Sequence, residues 1–172
     1  MAQVVFLRGV NVGGHKTFRP AALAKELKHL DVVNIGAAGT FVIRRPISRE
    51  KLRAEFARGL PFEAQAMICD GRDILELIAR DPFAGQLEGP DIVPFVSVMA
   101  RRPRSSPSMP IVFPPTGQWL LKVAATENQF IFGMYRRHMK AIGYLGKIDK
   151  LFDCPVTTRN WNTIVAIAKV LE

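Results

Sequence analysis

The most concentrated set of hydrogen-bonding side chains in this sequence lies near its C-terminus, in the run Val156-Thr157-Thr158-Arg159-Asn160-Trp161-Asn162-Thr163. Pro155 precedes the run, and apolar residues recur after it at helical spacing, so we predict that Thr157 or Thr158 caps a final helix. The free N–H groups of a first helical turn attract anions. Thr158, Arg159, Asn160 and Asn162 are therefore candidate ligand-binding residues. The alternative is structural, with capping threonines and asparagines that bond neighbouring loops.

A glycine-rich segment near the N-terminus has a second set of such groups, in Arg8-Gly9-Val10-Asn11-Val12-Gly13-Gly14-His15-Lys16-Thr17. It follows a predicted strand and precedes a predicted helix, which is a common position for phosphate-binding loops. The Walker A pattern fails because His15 separates Gly14 from Lys16. We therefore predict a looser anion-binding loop that uses Arg8, Asn11, His15 and Lys16. A plain glycine turn with solvated polar residues is the alternative.

Two basic clusters lie in the second half of the chain. One is the Pro/Ser-rich segment 101–110, which contains Arg101, Arg102 and Arg104 and has no helix or strand pattern. The other contains Arg136, Arg137 and Lys140, beside Tyr135. Arginine grips phosphate and tyrosine stacks on bases, so both clusters are candidate contacts for an anionic partner. The alternatives are an exposed loop and a solvated strand end.

The distribution of charge agrees with an anionic partner. The chain has 172 residues and a net charge of +9. Residues 1–97 hold 13 Lys/Arg against 11 Asp/Glu, whereas residues 98–172 hold 11 against 4. An uneven positive field favours nucleic acid, nucleotides or other phosphorylated molecules. The uneven distribution of charge is equally consistent with a role in solubility alone.

Composition also excludes several classes. No apolar run approaches the roughly 20 residues of a membrane helix, and Met1–Leu7 predicts a strand rather than a signal peptide. Cys69 and Cys154 are the only cysteines, too few for a disulfide framework, and no Cys/His spacing indicates a metal site. We therefore expect a cytoplasmic protein with no metal, no cofactor and no membrane association.

The elements that position these residues follow from hydrophobic periodicity. Strands are predicted at 3–7, 33–35, 40–43 and 63–69, with helices beginning at Pro20 and after Ser48. This β-α-β-β-α-β order is that of a ferredoxin-like lobe. A short helix after Asp70, a strand at 92–99, a hairpin of 119–125 with 129–135, and the final helix follow. The fold class is therefore α+β, with a ferredoxin-like lobe at 1–82 and a smaller α+β lobe at 83–172.

The two polar segments together resemble the signature segments of a bacterial family catalogued as domain of unknown function 1697. Leu7 to Gly14 and Thr157 to Thr163 carry the resemblance, and Asp81-Pro82-Phe83 is similar to a third family segment. One departure is the turn between the second and third strands, where Ala37-Ala38-Gly39-Thr40 replaces the family's usual Gln-Ser-Gly-Asn. The resemblance implies a small cytosolic α+β protein with a ferredoxin-like N-terminal lobe and implies no known activity.

Three functions stay open at this point. The first is the binding of an anionic ligand such as a nucleotide, a nucleic acid or another phosphorylated molecule. The second is a small enzyme acting on a phosphate- or carboxylate-bearing substrate, for which the acid/base candidates are Asp149, Asp153, His15 and His138. The third is a protein-interaction module. A joint cleft between the glycine-rich loop and the start of the last helix would favour either of the first two.

Overall fold

A computed structural model describes residues 1–172 and shows two antiparallel sheets with helices. The chain divides into two compact units, one formed by Met1–Arg80 with Asn162–Glu172 and the other by Asp81–Trp161. The α+β class is as predicted. The predicted division into lobes at 1–82 and 83–172 stays a prediction.

The first unit contains a four-stranded sheet. Its strands are β1 (Gln3–Leu7), β2 (Val32–Ile35), β3 (Thr40–Ile43) and β4 (Ala66–Asp70), in the spatial order β2-β3-β1-β4. Its helices are α1 (Pro20–Glu26), α2 (Arg49–Gly59), α3 (Gly71–Arg80) and α6 (Trp161–Leu171), although Trp161 itself is grouped with the second unit. A 3₁₀ turn at Lys28–Leu30 follows α1.

The core of this unit follows from alternation along the strands. Val5, Leu7, Phe41 and Ile43 share one face and pack with residues of α1 and α2, among them Leu27, Leu52 and Phe56. Side chains of opposite parity, such as Val4 and Phe6, are also fully buried. Strands buried on both faces are apolar throughout rather than alternating, which explains the unbroken apolar run at the N-terminus.

Helix boundaries in this unit follow the capping signals. The Ser48 hydroxyl accepts a hydrogen bond from the Lys51 N–H at 3.2 Å, as an N-cap does. Pro20 occupies the first position of α1, where its missing N–H costs nothing. Asp31 ends the 3₁₀ turn in the left-handed conformation, with φ of 52°.

The second unit contains a five-stranded antiparallel sheet in the order β6-β7-β8-β5-β9. The strands are β5 (Ile92–Met99), β6 (Ile111–Phe113), β7 (Leu121–Glu127), β8 (Phe130–Arg136) and β9 (Val156–Asn160). Two short helices, α4 (Met139–Leu145) and α5 (Ile148–Phe152), connect β8 to β9. Buried side chains of this sheet pack with those of α5, among them Phe95, Leu121, Ile131, Ile148 and Phe152.

The prediction that Thr157 or Thr158 caps the last helix is wrong. Both threonines lie in β9, which pairs antiparallel with β5, and α6 begins at Trp161. Threonine is β-branched and favours strands, and the pairing with β5 outweighs the local capping signal. The apolar residues at helical spacing after this run do lie in a helix, and Ile164, Ile167 and Ala168 of α6 are buried.

The 121–136 hairpin contains a position that only glycine fills. A Cβ atom at Gly133 in β8 would overlap the backbone carbonyl oxygen of Lys122 in β7 and would lie 3.1 Å from the Phe95 ring. The register of β7 against β8 shifts between Val123 and Ala125, and such bulges increase local twist. The close approach of the two strands therefore depends on glycine.

We expect Gly133→Ala to lower the free energy of unfolding by about 2 kcal/mol or more, because overpacking forces the backbone apart. Urea denaturation measures the change. Gly143→Ala is the matched control, since a Cβ there would meet no atom within 4 Å, and alanine in α4 should be neutral or slightly stabilising. Equal stability of the two variants would contradict the assigned close contact.

Candidate functional site

The glycine-rich loop after β1 forms a small hairpin. The His15 N–H donates to the Val12 carbonyl at 2.9 Å, and the Asn11 N–H donates to the Lys16 carbonyl at 3.1 Å. Gly13 and Gly14 have φ of 56° and 79°, which L side chains rarely adopt. The glycines therefore serve this tight turn, and the sequence pattern that resembles a phosphate loop has a local conformational cause.

Asn11 holds the hairpin against its neighbours. Its amide Nδ2 donates to the Ala37 carbonyl in the β2–β3 turn at 2.9 Å, and its Oδ1 accepts from the Phe18 N–H at 2.9 Å. Asn11 also has φ of 53°, a conformation that asparagine tolerates better than most residues. Both ends of the side chain are thus engaged in structure, which places Asn11 as a brace of the loop.

The other predicted loop residues differ in their surroundings. Lys16 donates from Nζ to the Glu63 carbonyl at 2.9 Å and lines an open cleft of about 720 Å³ beside the end of α2. The Arg8 N–H donates to the Gln65 carbonyl at 2.9 Å, and His15 is exposed. Lys16 and Glu63 are the only charged residues that line this cleft, so its formal charge is balanced.

Arg159 is buried in β9, with 6% of its surface exposed. Its Nη1 donates to the Thr157 hydroxyl at 2.7 Å and to the Thr158 carbonyl at 3.0 Å. Burial lowers the pKa of this guanidinium to about 10, because desolvation disfavours the charged form. Arg159 therefore belongs to the interior of β9 rather than to an exposed first turn of a helix.

The other residues of the predicted C-terminal cluster do not share one environment. The Thr158 hydroxyl lies 2.6 Å from that of Ser97 across the β5–β9 pair, so it contributes to the sheet. Asn160 and Asn162 are exposed. Asn160 belongs to the second unit and Asn162 to the first. A joint site with the glycine-rich loop stays a prediction.

A cleft in the second unit collects cationic side chains. One cavity of about 250 Å³ is lined by Arg101, Pro103, Arg104, Ser105, Phe152 and Asp153. A second of about 340 Å³ is lined by Arg101, Asp149, Lys150, Asp153, Cys154 and Pro155. Because Arg101 and Asp153 line both cavities, we treat the two as one feature and call it the Arg101 cleft.

Arg101 is held in place at this cleft. Its Nη2 donates to the Asp153 backbone carbonyl at 2.8 Å, and its own carbonyl lies 3.7 Å from the Cys154 thiol. Asp153 is the C-cap of α5 and has a left-handed conformation, with φ of 47°. One guanidinium nitrogen is thus anchored to backbone while the side chain lines both cavities. Such anchoring lowers the entropy lost when an anion binds.

Sequence reasoning named Arg101 and Arg104 but missed Lys150 and Ser105 as neighbours of the same cleft. Segment 101–105 follows β5, and Lys150 lies in α5, about 50 residues later along the chain. No sequence spacing predicts that approach. The acid/base candidates Asp149 and Asp153 line one cavity, whereas His138 caps α4 by accepting from the Lys140 N–H at 3.1 Å.

The predicted basic patch at the end of β8 is largely bound into the fold. Arg136 donates from Nε to the Trp119 carbonyl at 2.8 Å and pairs with Asp91 at 3.2 Å. Arg137 donates from Nε to the Pro90 carbonyl at 3.1 Å. Lys140 and Arg102 are exposed. Arg136 and Arg137 therefore fasten β8 to the segment before β5, and Lys140 is displayed to solvent.

Three further observations bear on chemistry. Cys69 is fully buried, and desolvation raises the pKa of its thiol well above the ordinary range, so it is not a nucleophile at neutral pH. Clusters of three or more His, Cys, Asp or Glu side chains suited to a metal ion are absent. None of the helices is long and apolar enough to span a membrane.

We expect Asn11→Ala to destabilise the protein by about 2–3 kcal/mol, because it removes two hydrogen bonds and leaves alanine in a left-handed conformation. Asn11→Gly removes the same hydrogen bonds without the conformational strain and should cost about 1 kcal/mol less. Thermal and urea unfolding measure both variants. Unchanged stability of Asn11→Ala would show that the side chain is not a brace and would return it to the candidate ligand contacts.

Comparison with known proteins supports the fold and the family. The chain is similar in structure to conserved bacterial protein SP0830 from Streptococcus pneumoniae, with a TM-score of 0.60 and 16% sequence identity, over 99% of this chain and 98% of that one. At that identity the likeness concerns the fold alone. No curated protein matches the sequence. The model of the protein family of unknown function DUF1697 matches residues 1–109, which is more than half of the chain, and the protein therefore belongs to the DUF1697 family.

Proposed function

We propose that this protein binds an anionic, phosphate-bearing ligand and that the Arg101 cleft receives the phosphate. The observation that carries the proposal is the position of Arg101, which lines both cavities and is anchored to the Asp153 carbonyl at 2.8 Å. A guanidinium presents several donors in a fixed plane that matches phosphate oxygens. An anchored guanidinium at a cavity wall is well suited to that contact.

The surroundings of Arg101 supply further positive charge. Arg104 and Ser105 line the smaller cavity, and Lys150 lines the larger one. Three cations thus face two carboxylates, Asp149 and Asp153, so the formal charge at the cleft is positive. Clefts of a few hundred cubic ångströms are the usual size for small-molecule ligands, which fits a nucleotide or another phosphorylated metabolite.

The other predicted ligand contacts are weaker parts of the same proposal. The Lys16 cleft is larger, at about 720 Å³, but Lys16 is bonded to the Glu63 carbonyl and Glu63 offsets its charge. Arg8, His15, Asn160 and Asn162 stay proposed contacts for an anion. The Arg101 cleft is preferred because its cations outnumber its carboxylates.

The family resemblance supplies a proposal about architecture. We propose that the first unit is ferredoxin-like. The β-α-β-β-α-β order of β1 to β4 and the spatial order β2-β3-β1-β4 support this. The two free, buried cysteines suit the cytoplasm, where thiols stay reduced.

We expect wild-type protein to bind inorganic pyrophosphate and a nucleoside monophosphate, and Arg101→Ala to weaken binding at least tenfold. The loss of a charge-assisted hydrogen bond costs about 1.5–3 kcal/mol, which corresponds to that change. Isothermal titration calorimetry measures the affinity at low ionic strength, since salt screens such contacts.

Two further variants make this experiment decisive. Arg104→Ala tests the cleft through a second residue, in case Arg101→Ala unfolds the segment that its Nη2 anchors. Arg102→Ala is the matched control, because Arg102 is exposed and lines neither cavity. Equal losses in Arg102→Ala and Arg104→Ala, or no binding by the wild type, would contradict the proposal.

A further inference from the structure

A long groove lies beside α2 in the first unit. The Lys16 cleft, of about 720 Å³, and a smaller cavity of about 220 Å³ are both lined by Ala57, Leu60, Ala64 and Gln65. Because these four residues line both cavities, the two form one continuous depression between the C-terminal half of α2 and the segment that leads into β4. We call this depression the α2–β4 groove.

The α2–β4 groove has an apolar interior and a positive formal charge. The buried side chains of Leu7, Phe56 and Leu60 line its smaller part. Lys16 and Glu63 are the charged residues of the larger part, and Arg53 is the charged residue of the smaller part. Two cations therefore face one carboxylate along the groove.

One wall of the groove is continuous with the edge of the first sheet, because β4 has a neighbouring strand, β1, on one side only. The Arg8 N–H donates to the Gln65 carbonyl at 2.9 Å, so Gln65 faces β1. Ala66 lies opposite Leu7 in the next pair, and hydrogen-bonded and non-hydrogen-bonded pairs alternate in an antiparallel ladder. The N–H and C=O of Ala66 therefore point away from β1.

Two arginines of α2 cover the edge of β4 itself. Arg53 donates from Nη1 to the Ala66 carbonyl, and Arg49 donates from Nη2 to the Asp70 carboxylate at 3.4 Å. The edge is open just before the strand, at Ala64, whose N–H and C=O make no hydrogen bond within the chain. Since Ala64 lines both cavities, the groove offers backbone groups to an incoming chain.

An extended peptide satisfies this combination of groups. Peptides that add to a sheet edge gain affinity from main-chain hydrogen bonds, and the pockets beside the edge accept alternate side chains. A small apolar molecule would fill the groove but leave the backbone groups of Ala64 to water. A second copy of the chain would bring its own Arg49 and Arg53 against the same arginines, and like charges disfavour that contact.

We infer that the α2–β4 groove binds an extended peptide segment of a partner protein, with apolar side chains at alternate positions and a carboxylate beside Arg53. The excess of cations in the groove, in a chain of net charge +9, favours an acidic segment. This inference goes beyond the proposed function, because the groove lies in the first unit and does not involve the Arg101 cleft.

The probe is a library of random dodecapeptides displayed on phage and selected on the wild-type protein. We expect enriched peptides to carry apolar residues at every second position, together with Asp or Glu. Synthetic copies are then measured by fluorescence anisotropy. Ala57→Trp should weaken their binding by about tenfold or more, because the indole fills the groove. Arg53→Gln should weaken it by about fivefold, since a partly exposed charge pair is lost.

A matched control and two backbone measurements make the test specific. Ala54→Trp should bind as the wild type, because Ala54 is exposed on α2 and lines neither cavity. Of two peptides N-methylated at alternate residues, the one whose methyl groups face the edge should lose binding and the other should retain it. Amide hydrogen exchange at Ala64 should slow in the complex, since its N–H becomes bonded.

Four results would overturn the inference and leave the Arg101 cleft unaffected. They are a selection that enriches no alternating pattern, equal binding by Ala54→Trp and Ala57→Trp, equal binding of the two N-methylated peptides, and unchanged exchange at Ala64. Self-association of the wild type that Ala57→Trp abolishes would instead assign the groove to a second copy of the chain.

Discussion

The pairing of β9 with β5 is the interaction on which the second unit depends. It joins residues about 60 positions apart, with Ser97 opposite Thr158 and Val96 opposite Arg159. This register places the Thr158 hydroxyl 2.6 Å from that of Ser97 and holds Arg159 in the interior. It also positions Pro155 and Cys154 directly before the strand, where they form one wall of the Arg101 cleft.

Burial gives the two arginines of this region different roles. Arg159 is 6% exposed, and desolvation lowers its pKa to about 10, so its charge is costly to keep and its donors serve Thr157 and Thr158. Arg101 is exposed to solvent, and one of its guanidinium nitrogens is anchored to the backbone carbonyl of Asp153. Binding of a ligand from solvent therefore costs less desolvation at Arg101 than it would at the buried Arg159. Thr157, Thr158 and Arg159 are thus engaged in the structure of β9, whereas the proposed phosphate site lies in the loop after β5.

The same distinction applies to the glycine-rich loop. Its glycines are required by positive φ angles, and its asparagine is engaged at both ends of the side chain. Phosphate loops and tight hairpins both need glycine, because both need backbone conformations that other residues resist. Residue types alone therefore do not distinguish a phosphate loop from a tight hairpin. The backbone hydrogen bonds show that this segment forms a hairpin.

The sequence by itself determined most of the longer elements and the distribution of charge. Continuous apolar runs predicted the strands of the first unit, Ser48 and Pro20 predicted helix starts, and the charge count predicted a basic second half. The sequence did not predict that Thr157 and Thr158 lie in a strand rather than at the start of a helix. Strand pairing with β5 is a long-range interaction, and it outweighs the local capping signal. The short elements β6, α4 and α5 were also not predicted, because a segment of three to seven residues shows little hydrophobic periodicity. Only the tertiary structure brought Arg101, Arg104 and Lys150 to one cleft, because the distance between side chains depends on the path of the chain between them.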